Sequence, residues 1–161
     1  MAATVVEPDL FRKSCGRFAT GIAIATVTGA DGSPYGLTIN SFASVSCCPP
    51  LVLICVDYRC NILPHFRASS HYGINVLSET QRDLSVRFSQ RELDRFEGLS
   101  WYVGQAGVPV LRGCLAIMEC SVSQVVEAGD HAIFIGEVGH TEFHDGNPLL
   151  YYASSYRRMA E

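Results

Sequence analysis

Two long runs of alternating side chains, joined by a four-residue turn, constrain this chain most. In Leu115 to Val126 the even positions Ala116, Met118, Cys120 and Val122 are apolar, while the odd ones include Glu119, Ser121 and Ser123. After Glu127-Ala128-Gly129-Asp130, the run His131 to His140 alternates again, with Ala132, Phe134, Gly136 and Val138 against Ile133, Ile135 and Glu137. A period of two is the signature of an extended strand, because successive side chains leave opposite faces. Two such runs around a Gly-Asp turn predict an antiparallel hairpin. A chain holding a hairpin this long needs further strands to cover its apolar face.

Those strands are legible. Gly21 to Gly29 is rich in β-branched residues between glycines, and Ala30 to Pro34 is a turn signal. Strand character resumes at Tyr35, and Leu51 to Val56 is apolar on both faces, which predicts a central strand. His71 to Leu77 reads as another strand. Helical signals are short. Phe11, Cys15 and Phe18 follow Pro8-Asp9 at helical spacing, Asn61 is placed to cap a helix carrying Leu63 and Phe66, and Thr80 to cap one carrying Leu84 and Phe88. Residues 90 to 109 read as irregular. Six or so strands with short helices predict one mainly β domain over residues 1–161, a closed or nearly closed antiparallel barrel.

Composition narrows the function. A hydrophobic share of 48% against 17% charged residues is globular, without a disorder signature. The net charge is −4 and no block of like charge occurs, which argues against nucleic acid and anionic membrane surfaces. No apolar run approaches the ~18 residues of a membrane span, and MAATVVEPD has no basic region of the kind that opens a signal peptide. The seven cysteines form no CxxC and suit reduced thiols in a cytoplasm. There is no GxGxxG after a strand, no phosphate loop, no HExxH and no GxSxG. Asp130-His131 is a poor start to a hydrolytic triad if both lie on one strand, since neighbouring side chains then point apart.

What remains is the stretch Tyr35 to Val56. Thr38, Asn40, Ser41, Ser44 and Ser46 crowd it with neutral hydrogen-bonding groups just before the apolar strand. Such a surface suits a ligand rich in acceptors, such as a flavin or a phosphate, and equally suits a Ser/Thr-rich turn. From the residues alone the chain is a β-barrel with a possible anion or cofactor site.

The chain resembles the flavin reductase family that supplies reduced flavin to two-component monooxygenases. The resemblance is carried by Phe18–Gly21, Gly36–Ser46, Pro49–Leu53, Asn75–Leu77, Gln81 with Leu84 and Phe88, Phe96–Gly98, Pro109–Gly113, Gly129-Asp130-His131, Ile133–Val138 and Pro148–Tyr152. It covers about residues 9 to 158. It implies a split β-barrel with Greek-key connections and short flanking helices, a homodimer, FMN or FAD bound near the dimer interface, and NADH or NADPH as hydride donor. By the same resemblance Thr38, Asn40 and Ser41 lie along the ring and ribityl parts of the flavin, and Ser44, Val45 and Ser46 approach the ribityl chain and phosphate. Cys55, Asn61, Asn75, Val76, Gln81, Ser85 and Phe88 are further neighbours of the flavin. His131 is the implied nicotinamide-binding and catalytic residue, with Tyr152 beside it. No metal is implied, and the implied functional partner is a flavin-dependent monooxygenase. Cys47-Cys48 departs from the family pattern, where an aliphatic or polar pair is usual.

Hydride transfer is chemistry the cofactors carry, so the protein need only orient them. That accounts for the lack of an evident acid–base pair. Two alternatives stay open: a flavin-binding electron-transfer module without catalysis, and another split-barrel flavin oxidoreductase. Arg17, Arg157 and Arg158 are candidates for recognising the NADPH ribose phosphate.

Overall fold

The computed structural model describes residues 6–91 and 94–159. Helix α1 (Pro8–Cys15) comes first, with Pro8 in its opening turn where a missing N–H costs nothing. Strands β1 (Thr20–Gly21), β2 (Ala23–Thr28), β3 (Pro34–Ile39), β4 (Ala43–Cys47) and β5 (Pro50–Asp57) follow. Then come α2 (Leu63–Ala68), β6 (His71–Val76), a 3₁₀ turn at Glu79–Gln81 and α3 (Arg82–Ser89). The chain finishes with β7 (Trp101–Val103), β8 (Pro109–Leu111), β9 (Ala116–Ala128), β10 (His131–Phe143), β11 (Leu150–Tyr152) and β12 (Ser155–Arg157).

A seven-stranded sheet in the order β3-β2-β6-β9-β10-β5-β4 forms the body. All its neighbours run antiparallel. The β4–β5 hairpin lies between β3 and β6 in the chain yet sits at the opposite edge of the sheet, a crossing connection of the Greek-key kind. The sheet curls round one interior cluster to which β2, β3, β5, β6, β9 and β10 all contribute, with Phe134, Phe66 and Tyr72 fully buried in it. A second cluster, built on Phe88, Phe96, Leu111 and Ile117, lies outside the sheet beneath α3 and the β7–β8 hairpin.

The β9–β10 hairpin has the expected register: Ala128 faces His131 across a two-residue turn. Gly129 takes φ +61° there, a left-handed value that glycine adopts without steric cost. Glu119 departs from the polar face expected of its alternation, being only 3% exposed. The loop before β8 covers that face, and Glu119 accepts the backbone N–H groups of Gln105 (3.1 Å) and Ala106 (2.6 Å). A carboxylate so satisfied tolerates burial.

Other local expectations are corrected. Strand β5 is paired on both sides but lies next to the sheet edge rather than at its centre. Its even residues Val52, Ile54 and Val56 are buried inside, while Leu51, Leu53 and Cys55 are half-buried on the outer face. Asn61 caps nothing: Ile62 holds the N-cap position of α2, and the Asn61 amide donates to Arg91 O at 3.3 Å. Thr80 does not cap α3: Gln81 holds that N-cap position without a side-chain cap, and Ser78 caps the preceding 3₁₀ turn in a reciprocal pair with Gln81. The stretch expected to be irregular contains β7 and the start of β8. All seven cysteines are unpaired. Burial pushes the Cys114 thiol up to about 11 and Cys120 up to about 12, so both behave as small apolar groups.

Candidate functional site

The even positions of β3 face away from the barrel interior, towards α3. Gly36 makes this possible: a Cβ there would meet the Phe88 ring at 2.7 and 2.9 Å. Two residues on, Thr38 Oγ1 donates to Ser85 O at 2.6 Å, and Ser85 Oγ lies 2.9 Å from Tyr156 Oη. The C-terminal β11–β12 hairpin thereby joins β3 and α3. Thr38, Asn40, Ser85, Ser89, Tyr151 and Tyr156 line a cavity of about 270 Å³ between them. Asn40 is exposed on this lining.

Immediately after Asn40 the chain crosses the seam between the two ends of the sheet. Ser41 Oγ accepts from Cys55 N at 3.0 Å and donates to Cys55 O at 3.1 Å. Cys55 sits opposite Ile133, and Asp57, two residues further, sits opposite His131. Ser41, Cys55, Asp57 and His131 thus share one stretch of the barrel wall. At about 3.4 Å per residue, the step from Cys55 to Asp57 is about 7 Å. The Arg59 side chain grips the Asp57 carboxylate, with Nη2 to Oδ2 at 2.6 Å, and holds it well below the ordinary carboxylate range.

His131 Nδ1 lies 2.6 Å from Asp130 Oδ1. This overturns the expectation that the two side chains point apart. Asp130 belongs to the turn, not to the strand, so the alternation of a strand does not govern it. The bond to His131 lowers the Asp130 pKa, keeping it an acceptor at neutral pH. A carboxylate cannot donate, so Nδ1 carries the imidazole proton and Nε2 is left open.

Ser44, Val45 and Ser46 lie on edge strand β4, with a bulge between Ser44 and Ser46. Val45 is 48% exposed, Ser44 is exposed, and Ser46 Oγ accepts from Cys48 N at 3.3 Å. Four residues that the resemblance places beside the flavin make contacts within the protein. Asn75 is fully buried, donating to Ile24 O (3.1 Å) and Thr26 Oγ1 (3.3 Å) and accepting from Leu111 N (2.8 Å). Val76 is bridged between Ala23 and Ala116. Gln81 spends its side chain on Ser78 N and Arg112 O, and Phe88 is packed edge-on to Phe96. Tyr152 is half-buried, with its hydroxyl 3.4 Å from Arg17 Nη1.

The Flavin reductase like domain family matches residues 15–160. The chain belongs to the flavin reductase family. It is 41% identical over 150 residues to the FMN reductase (NADH) of Agrobacterium fabrum, covering 93% of this chain and 85% of that protein. It is 40% identical over 156 residues to a probable flavin reductase of Rhizobium meliloti, of which it spans only half: 97% of this chain, 50% of the relative. The crystal structure of the Streptomyces globisporus NADH:FAD oxidoreductase, in complex with NAD and FAD fragments, superposes with a TM-score of 0.90 at 34% identity, covering 98% of each chain. The split-barrel fold expected of the family is the one observed.

The hydroxyl and amide groups of this wall are neutral, and the Thr38 and Ser41 hydroxyls are already donated to backbone carbonyls, which leaves their oxygens as acceptors. The seam, the mouth of the cavity and the β4 edge carry hydroxyls and an amide, and an imidazole stands at one end. Asp57, Ser89, Tyr151 and Tyr156 join the sequence-predicted residues here. The Asp57 placement follows from the β5–β10 register. The tyrosines come from a hairpin whose docking on α3 no local pattern reveals.

Proposed function

We propose that this chain is an NAD(P)H-dependent flavin reductase that reduces FMN or FAD with NADH or NADPH and passes reduced flavin to a separate flavin-dependent monooxygenase. The observation that carries this reading is the alignment of Ser41, Cys55, Asp57 and His131 along an open seam, beside the cavity of Thr38, Asn40 and Ser85. The names of relatives support the partner: a reductase subunit of a flavin-dependent monooxygenase in Rhodococcus jostii is 38% identical over 157 residues. The unpaired thiols support a reducing, cytoplasmic setting.

When bound, flavin would supply the chemistry, as a ring that accepts one hydride and with it both electrons. Asn40 and the seam hydroxyls would hold the polar ring edge, and Ser44 and Ser46 the ribityl chain and phosphate. His131, fixed by Asp130, presents Nε2 to the nicotinamide. No group in this arrangement must gain or lose a proton for the transfer, so orientation is the protein's main contribution.

Anaerobic oxidation of NADH and NADPH with FMN, FAD and riboflavin tests the reading, and no oxidation in any pairing would sink it. In the same assay the S44A/S46A double variant should bind FMN about tenfold or more weakly, since a hydrogen bond to a charged group is worth about 1.5–3 kcal/mol. Unchanged FMN affinity would remove these serines from the site.

The outer face of β5 and β10 supports a homodimer. Leu51, Leu53, Ile133 and Ile135 are half-buried there, an apolar strip bordered by the exposed Val45. Sedimentation should give twice the 17.6 kDa chain mass, and a single-chain mass at micromolar concentration would refute the pairing.

A further inference from the structure

The β9–β10 hairpin that carries His131 runs past its support on one side. Strand β6 pairs with β9 only over Ala116–Ser121, and Val122 N donates once more to Ser70 O at 2.8 Å. From Ser123 to Ala128, among the described residues, β10 is the one strand beside β9. A hairpin end held so lightly opens at little cost. The turn Gly129-Asp130 lies at this end, directly before His131.

The rest of the barrel reaches this end through the segment after β5 and through α2. Tyr58 straddles the turn. Its N–H donates to Asp130 O at 3.0 Å, and its hydroxyl donates to Glu127 Oε2 on the far side. Arg67 of α2 grips the same carboxylate with both ends of its guanidinium, Nη1 to Oε1 at 2.7 Å and Nη2 to Oε2 at 3.0 Å. Such a fork fixes direction as well as distance. The Arg67 cation also stands 5.9 Å from the centre of the Tyr58 ring. Arg67, and then the Tyr58 hydroxyl, hold the Glu127 carboxyl below its ordinary range, so it stays an acceptor at neutral pH.

The ion pair is about half exposed, with Glu127 at 52% and Arg67 at 44%, and exposed pairs add at most about 1 kcal/mol to stability. Its place in the fold is more telling than its strength. Asp130 is held at its carbonyl by Tyr58 and itself holds His131 Nδ1 with its carboxylate. A turn fixed at Glu127 and at Asp130 therefore fixes the imidazole.

We propose that Tyr58, Arg67 and Glu127 form a clamp that positions His131 for hydride transfer, acting through the turn rather than on the substrates. The proposal rests on the flavin reductase reading, with His131 facing the nicotinamide.

Reduction of FMN by NADH, followed in the wild type, Glu127→Ala, His131→Ala and the double variant, tests it. Glu127→Ala should lower kcat about threefold to tenfold, while the NADH KM and the FMN affinity stay within about twofold of wild type. Glu127→Gln, whose amide oxygen still accepts from Tyr58 and Arg67, should recover most of the loss. In the His131→Ala background Glu127→Ala should cost less than about twofold, because the imidazole it positions is gone. The clamp is overturned if Glu127→Ala keeps wild-type kcat, if its loss falls on the NADH KM, or if it costs the same factor with and without His131, as a general loosening of the fold would. Tyr58→Phe removes the hydroxyl alone and repeats the cycle should Glu127→Ala fail to fold. An unimpaired His131→Ala overturns the clamp together with the placement of His131, whereas a wild type that reduces no flavin removes the reductase reading.

Discussion

The His131→Ala protein is expected to lose about tenfold to a hundredfold in kcat/KM for the nicotinamide substrate while keeping its flavin affinity. Misplacement of a reacting partner by about 1 Å can cost about a hundredfold. On the proposed reading His131 prevents it. It opens β10 directly after a tight turn, faces Asp57 across the sheet, and is held through Nδ1 by Asp130 at 2.6 Å. Asp130→Asn should give a smaller loss of the same kind, because an amide still holds the ring but no longer dictates which nitrogen bears the proton. A loss through misplacement predicts that kcat falls, whereas loss of simple binding would fall on the nicotinamide KM. Wild-type kcat/KM in His131→Ala would take the imidazole out of the site, and weakened flavin binding would move it to the other substrate.

The second large effect is on stability. Asn75→Ala should destabilise the fold by about 3 kcal/mol or more, since each buried group left unpaired costs about 1–3 kcal/mol. The amide ties its own strand β6 to two others: to Ile24 O and Thr26 Oγ1 on β2, and to Leu111 N on β8. For a chain of 161 residues this corresponds to a fall of roughly 6–12 °C in Tm. Calorimetry with and without FMN separates the two roles open to Asn75. A large fall in Tm with unchanged FMN affinity fits the buried hub. A shift under 1 °C with weakened FMN binding would return Asn75 to the cofactor site, as the family resemblance implies.

The strands were legible where alternation is regular, as at Ala132 to Val138, because a period of two follows from strand geometry alone. Caps were less legible. Ser78 and Thr80 are both good capping residues, and only the reciprocal bond from Gln81 selects Ser78. Glu119 reads as a solvent residue because the loop that covers it lies far off in sequence. Strand alternation does not govern Asp130 and His131, because the turn ends between them. The site was legible in kind but not in membership. Thr38, Asn40 and Ser85 line one cavity, whereas Asn75 and Gln81 spend their side chains on the backbone of neighbouring elements. A polar residue's type does not say whether its bonds go to a ligand or to the backbone.

Along the seam, Ser41 stands where a ladder of amide bonds would otherwise run, touching the backbone of Cys55 at two points. A latch of one hydroxyl can part without unzipping any strand. Openings of this local kind cost far less than global unfolding. A wall that parts there can admit a flat molecule while the remaining staves hold their shape.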